Sequence, residues 1–149
     1  MVPTPSGKGV ILRKNKATLL TRTCLPFRSN HHNNVEQILD IGSGTGLLAI
    51  IGAKLWKSKA LAVDNDNNAV IAAKTNAKNN NVSTYVTSKF NDVVKSPVKI
   101  TTNSKFDLIT AFHVIEHVKN PIAILKDLFS YLNENGLLVL EVPNIECVV

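Results

Sequence analysis

Cysteine is scarce in this chain. Its 149 residues hold two, Cys24 and Cys147, far apart in sequence. That count offers no disulfide framework and no Cys-x-x-Cys metal pair. Such usage fits a reducing compartment, so a cytoplasmic protein is expected. No apolar run approaches the roughly 20 residues of a membrane-spanning helix, so no transmembrane segment is expected. Acid is missing altogether from residues 1–34, where Lys8, Arg13, Lys14, Lys16, Arg22 and Arg28 stand. Phosphate-loop chemistry is missing there too. "SGKG" at Ser6–Gly9 lacks the upstream glycine, the hydroxyl residue after the lysine and a preceding strand.

From Val35 onward, 11 basic residues face 11 acidic ones, so the net charge of +6 belongs to the leader. A nucleic-acid footprint over the folded domain is therefore not expected. The division is a basic leader, 1–34, and one domain, 35–149. The leader reads as a flexible arm or as one basic helix around Val10 to Leu25. Its composition also allows a mitochondrial-type transit peptide, or an arm for an anionic partner or membrane surface.

Strand and helix patterns alternate after Val35. "EQILDI" reads as a buried strand and Gly46–Lys57 as a helix. "KALAVD" is a second strand, Asn67–Asn80 a second helix and "VSTYVTS" a third strand. Asn91–Lys105 is irregular. Phe106–Phe112 gives a fourth strand. An amphipathic helix follows from Asn120, with Pro121 near its first turn and Gly136 beyond its end. "LLVLEV" is a fifth strand, Leu137–Val142. This order predicts an α/β fold, a doubly wound and mostly parallel sheet flanked by helices. Ligands in such sheets bind at the carboxyl ends of the strands.

The segment there is "LDIGSGTGLLAI". A dinucleotide fingerprint, G-x-G-x-x-G from Gly42, would need glycine at position 47, and Leu47 stands there. The pattern is instead D-x-G-x-G-x-G, with Asp40 two residues before Gly42. A carboxylate at the strand tip repels a pyrophosphate and suits a cationic group. The glycines allow close backbone approach. Asp64 ends the next strand and can accept both hydrogens of a ribose diol. The ligand expected is a nucleoside with a cationic part and no phosphate, and S-adenosylmethionine has these features. Asp66 reads as a helix N-cap.

"LDIGSGTGLLAI" with "AVDNDNNAV" resembles motifs I and II of the class I S-adenosylmethionine-dependent methyltransferases. "FDLITAFHVIEHVKNPIAILKDLFSYLNENGLLVLEVPN" is similar to the later part of that fold, in the form of the ubiquinone O-methyltransferase group. The first half also looks like the ribosomal-protein methyltransferases. The resemblance covers Val35 to about Asn144. It implies a Rossmann-like fold short of its last two strands, and a domain that is C-terminally incomplete. Asp40, Gly42, Ser43, Gly44 and Gly46 would hold the methionine part, Asp64 the ribose and Asn65 the adenine side. The third strand's tip departs from the family pattern. An acid is usual there, and Ser88, Lys89 and Phe90 stand in its place, with Asp92 beyond; Lys89 and Phe90 are taken as cofactor contacts. The resemblance implies methyl transfer to a small-molecule or lipid-like acceptor. Alternatives are a protein or RNA methyltransferase, and a cofactor-binding domain without activity. The fifth strand, left at an edge, would lead to self-association.

His113, Glu116 and His117 form H-x-x-E-H. The inverted zinc-protease reading needs a long helix and a third ligand, and the motif follows directly on a parallel strand. Helical spacing would put the three residues on one face beside the methyl acceptor. They are taken as catalytic, with His113 as a general base for an oxygen nucleophile. Glu116 and His117 could instead help hold a divalent metal, as a similar E-x-x-E-H segment does in small-RNA 2′-O-methyltransferases, or order the loop. No metal is assigned.

Overall fold

The computed structural model of the chain describes residues 8–13, 16–18, 35–93 and 104–143. Two short strands come first, β1 (Lys8–Arg13) and β2 (Lys16–Thr18). Then follow β3 (Gln37–Ile41), α1 (Leu47–Trp56), β4 (Lys59–Asp64), α2 (Asn67–Asn79), β5 (Val86–Phe90), β6 (Phe106–Phe112), a 3₁₀ turn at Ile115–His117, α3 (Pro121–Tyr131) and β7 (Leu132–Val142). All seven strands form one sheet in the order β2-β1-β7-β6-β3-β4-β5. The five strands from β3 onward are mutually parallel. This is the doubly wound α/β sheet that the alternation of patterns predicts.

Position in the sheet explains composition. β3 is central, and Ile38, Leu39, Asp40 and Ile41 are all buried, so its run is nearly continuous. β5 is an edge, and its buried Val86 and Ser88 alternate with exposed Thr87 and Lys89. The helices start where their capping residues stand. Asp66 Oδ1 accepts the Asn68 N–H at 2.8 Å to begin α2. Asn120 Oδ1 accepts the Ala123 N–H at 3.1 Å to begin α3, with Pro121 in its first turn.

The core lies on both faces of the sheet. Ile38, Ala60, Ala62 and Val86 pack on one face with Ala49, Ile50 and Ala53 of α1 and Ala77 of α2. Leu39, Ile41, Ile109 and Leu138 pack on the other with Ile124 and Leu128 of α3. Each fully buried aliphatic side chain contributes about 1.5–3 kcal/mol relative to exposure. Among the described residues no helix is long and apolar enough to cross a membrane.

Three expectations are corrected. The leader helix expected around Val10–Leu25 is not what the described part forms. Lys8–Arg13 is a strand that pairs antiparallel with β7, from Lys8↔Val142 to Arg13↔Leu137. The fifth strand is therefore not an open edge, and the two places beyond β7 are filled by β1 and β2. The physical reason is the same in both cases. An apolar strand needs partners for its backbone groups, and "GVIL" has the β-branched character to supply them. Finally, β7 starts at Leu132, and its register with β6 shifts between Phe106↔Leu132 and Leu108↔Leu137. The rest of the expected leader helix, and both cysteines, lie outside the described residues.

Candidate functional site

The chain leaves β3 toward β4 and β5 on one side, then returns to β6 and β7 on the other. The switch point thus lies between β3 and β6, and the carboxyl ends there form the crevice in which open α/β sheets hold ligands.

The Gly42–Gly46 turn opens this crevice. Gly42, Gly44 and Gly46 all have positive φ, at 65°, 51° and 81°. Two of them show different needs. A Cβ on Gly42 would collide with the Val114 side chain, so packing forbids one. A Cβ on Gly44 would meet nothing within 4 Å. Space beside Gly44 is open to a ligand, while its conformation still disfavours any side chain. The turn is tied to the next strand by the Ser43 N–H donating to the Val63 carbonyl at 3.0 Å.

Asp64 closes the other side. Its Oδ2 accepts the Gly44 N–H at 2.7 Å and its Oδ1 accepts the Asp66 N–H at 2.9 Å. A carboxylate has about four acceptor positions, so two remain for a diol. Asn65 follows in the exposed turn, and Asp66 is the N-cap that its sequence position predicts. Phe90 pairs in register with Asp64 and is 54% exposed. It presents a ring beside the diol acceptor. Lys89 pairs with Val63 and lines a separate groove on the sheet face, together with none of these residues.

Asp40 lies beneath the turn, 2% exposed. Its Oδ1 accepts the Thr110 hydroxyl at 2.7 Å, across the Asp40↔Thr110 register of β3 and β6. By hydrogen-bond geometry its Oδ2 has no partner among the described residues, and neither has the buried hydroxyl of Ser43. Burial pushes the Asp40 carboxyl from 3.8 up to about 6; the Thr110 hydroxyl and the nearby Ala49 N–H oppose the rise and the Asp64 charge adds to it. Two orphaned buried polar atoms at one turn are expensive in an empty protein and useful against a polar ligand. The α1 N-terminus, with Gly46 at its cap, carries no side-chain cap either. The N–H groups of its first turn, of which that of Ala49 lies at Asp40, suit a carboxylate.

On the β6 side the three H-x-x-E-H residues are not on one helical face. Only Ile115–His117 form a turn of 3₁₀ helix. His113 precedes it in a left-handed conformation, φ 54°. The side chains still meet. His113 Nδ1 lies 3.5 Å from Glu116 Oε1, and His117 Nε2 lies 3.9 Å from the same oxygen. Glu141 of β7, which sequence reading did not single out, lies 3.5 Å from His113 Nε2. Its carbonyl also accepts the His113 N–H at 2.9 Å. Only the β6–β7 pairing, Phe112↔Glu141, brings it there. Thr110 was missed for the same reason. Among the described residues no group of three His, Cys, Asp or Glu side chains is disposed to hold a metal ion.

A family model described as "Methyltransferase domain" matches residues 12–148. The chain is 37% identical over 120 residues to the ribosomal protein L11 methyltransferase of Campylobacter lari, covering 80% of this chain and 39% of that protein. It is 34% identical over 110 residues to the ubiquinone biosynthesis O-methyltransferase of Glaesserella parasuis, covering 73% of this chain and 46% of that one. The chain thus spans about two-fifths of the length of these curated relatives. Among solved structures, coclaurine N-methyltransferase bound to N-methylheliamine and S-adenosylhomocysteine superposes with a TM-score of 0.63 at 24% identity, over 72% of this chain and 30% of that one. A methyltransferase from Geobacter sulfurreducens in complex with S-adenosylhomocysteine gives 0.62 at 18%, over 72% and 41%. These two likenesses are of fold. The family match takes in β2 and the end of β1 as well as the glycine turn and the H-x-x-E-H segment, and on that breadth the chain belongs to the methyltransferase domain family.

Proposed function

We propose that this chain binds S-adenosylmethionine at the Gly42–Gly46 turn and directs methyl transfer to a small-molecule acceptor. The observation that carries the reading is the Asp64 carboxylate, fixed by the Gly44 and Asp66 N–H groups beside the open flank of Gly44. Asp64 accepts the two ribose hydroxyls, and Phe90 and Asn65 flank the adenine. Asp40 and Ser43 offer their unpartnered atoms under the turn. The uncapped N-terminus of α1 takes the carboxylate tail. When bound, S-adenosylmethionine supplies a methyl carbon activated by its sulfonium.

The chain's own part is alignment of the acceptor. His113 is 58% exposed on its side chain, so an acceptor can reach it. A hydroxyl acceptor must lose a proton, and His113 takes it at a ring nitrogen. Glu116 and His117 hold the loop that presents it. A protein acceptor is the second reading, and the relatives named for ribosomal protein L11 favour it.

The test is transfer of a labelled methyl group. The intact chain is incubated with labelled S-adenosylmethionine and either phenolic small molecules or ribosomal protein. Label on a phenol, lost in His113→Ala, supports the first reading, and label on protein alone supports the second. Cofactor binding with no transfer to any acceptor would mean a binding domain without activity.

A further inference from the structure

We propose a second binding site, for a nucleotide phosphate and base, in a cationic groove away from the glycine turn. Two adjoining depressions of about 380 and 300 Å³ share Gln37, Lys59 and Tyr85. The larger follows β4 and β5 past Leu61, Thr87 and Lys89, and the smaller adds Trp56 and Lys57 at the end of α1. Alternation along the strands puts Leu61, Thr87 and Lys89 on the face opposite α1 and α2, because Ala60, Ala62 and Val86 face those helices.

Charge identifies the ligand. Lys59 lines both depressions, Lys57 the smaller and Lys89 the larger, and no ammonium group of the three has a salt bridge among the described residues. Among the described residues the lining acid is Glu36, and Asp107 stands just behind, its Oδ2 accepting the Glu36 and Gln37 N–H groups. Three exposed ammonium groups along adjoining depressions attract anions. Thr84 and Thr87 add hydroxyl donors suited to phosphate oxygens. The rings of Trp56 and Tyr85, partly buried against the α1-side core, border the smaller depression and offer it their outer surface for a base. Lysines for phosphate and rings for a base together point to a nucleotide rather than an acidic peptide. It can come as a free nucleotide or as a residue of a single strand. The domain's balanced charge hides this groove, since Asp40, Asp64, Asp66, Glu116 and Glu141 stand at the carboxyl ends, and the Asp107 carboxylate at the amino end is taken up by the Glu36 and Gln37 N–H groups.

Trp56 is the chain's one tryptophan, so its fluorescence reports this groove directly. The experiment titrates the intact chain with uridine monophosphate and, separately, with single-stranded octauridylate, each with and without S-adenosylhomocysteine. Saturable quenching of Trp56 that S-adenosylhomocysteine does not displace is expected. Quenching by the free nucleotide marks the first source, and by the strand alone the second. Lys59→Glu with Lys89→Glu should weaken binding about tenfold or more, since phosphate contacts dominate such affinity. Lys59→Gln with Lys89→Gln, milder for folding, should weaken it less. No quenching by either probe overturns the proposal. Strand binding undiminished in both variants also overturns it, because the basic leader then carries the contact. Equal quenching by polyglutamate overturns the nucleotide assignment. None of these readouts uses methyl transfer, so the site stands or falls separately from the reading above.

Discussion

Asp64 and Gly44 are twenty residues apart in sequence, and the Gly44 N–H donates to Asp64 Oδ2 at 2.7 Å. With the Ser43 N–H on the Val63 carbonyl, this bond couples the glycine turn after β3 to the tip of β4. The carboxylate that faces the open flank of Gly44 thus also helps hold the turn. Ligand recognition and turn shape are thus one arrangement.

Asp40 should cost the empty protein stability. Its folded pKa of about 6 lies above the ordinary 3.8, so the folded state holds the proton more tightly between those values. Stability is fully present below about pH 4, falls as pH rises toward 6 and stays lower above it. The rise corresponds to about 3 kcal/mol. Asp40→Asn keeps an acceptor for Thr110 and removes the charge. It should therefore be more stable than the native chain at pH 7.5, with the advantage gone near pH 4. Denaturation at both pH values checks this, and a less stable variant at pH 7.5 would contradict it.

Gly42 and Gly44 should separate packing from binding. Gly42→Ala meets both a left-handed φ and the Val114 side chain, whereas Gly44→Ala meets only the φ. The conformational cost alone is about 1–2 kcal/mol, and overpacking adds about 1–3 kcal/mol. Urea unfolding should rank Gly42→Ala as the less stable. Gly44→Ala should still lose affinity for S-adenosylhomocysteine; an unchanged affinity would show that no ligand approaches there.

The pairing of β1 with β7 predicts a loss when it is removed. Deleting Met1–Thr18 frees the β7 edge, whose Leu137, Leu138 and Leu140 are buried in the whole sheet. A lower thermal midpoint and concentration-dependent association in light scattering are expected. A monomer with an unchanged midpoint would show that the hairpin adds nothing.

His113 carries its own signature. At φ 54° a glycine is favoured over alanine by about 1–2 kcal/mol. His113→Gly should therefore unfold at higher denaturant than His113→Ala, and both should lose transfer to a hydroxyl acceptor. Equal stability would mean that the left-handed conformation is not imposed by the fold.

Much of this architecture is legible in the chain itself. β4 and β6 begin and end where their apolar runs do, and Asp66 and Asn120 mark their helices, because those signals are local. Val82–Tyr85 read as strand from β-branched content, yet they form the turn that closes α2, with the Val82 N–H on the Ala77 carbonyl. Helix-end hydrogen bonds there outweigh propensity. The β1–β7 ladder joins residues more than 120 positions apart, and nothing local announces such a pairing. Thr110 and Glu141 are invisible for the same reason, since each meets its partner only through strand register. Nearness to the strand tip groups Lys89 with the cofactor contacts in the sequence. Alternation turns it to the sheet face instead, away from Asp64.

Calorimetric titration of the intact chain with S-adenosylhomocysteine and with NAD, repeated on Asp64→Ala, tests the central claim most directly. S-adenosylhomocysteine should bind and NAD should not. Asp64→Ala should weaken that binding by about 1.5–3 kcal/mol, or about 10- to 150-fold, the range for a hydrogen bond to a charged group. Heat from NAD with none from S-adenosylhomocysteine, or an unchanged affinity in a folded Asp64→Ala, would contradict the account.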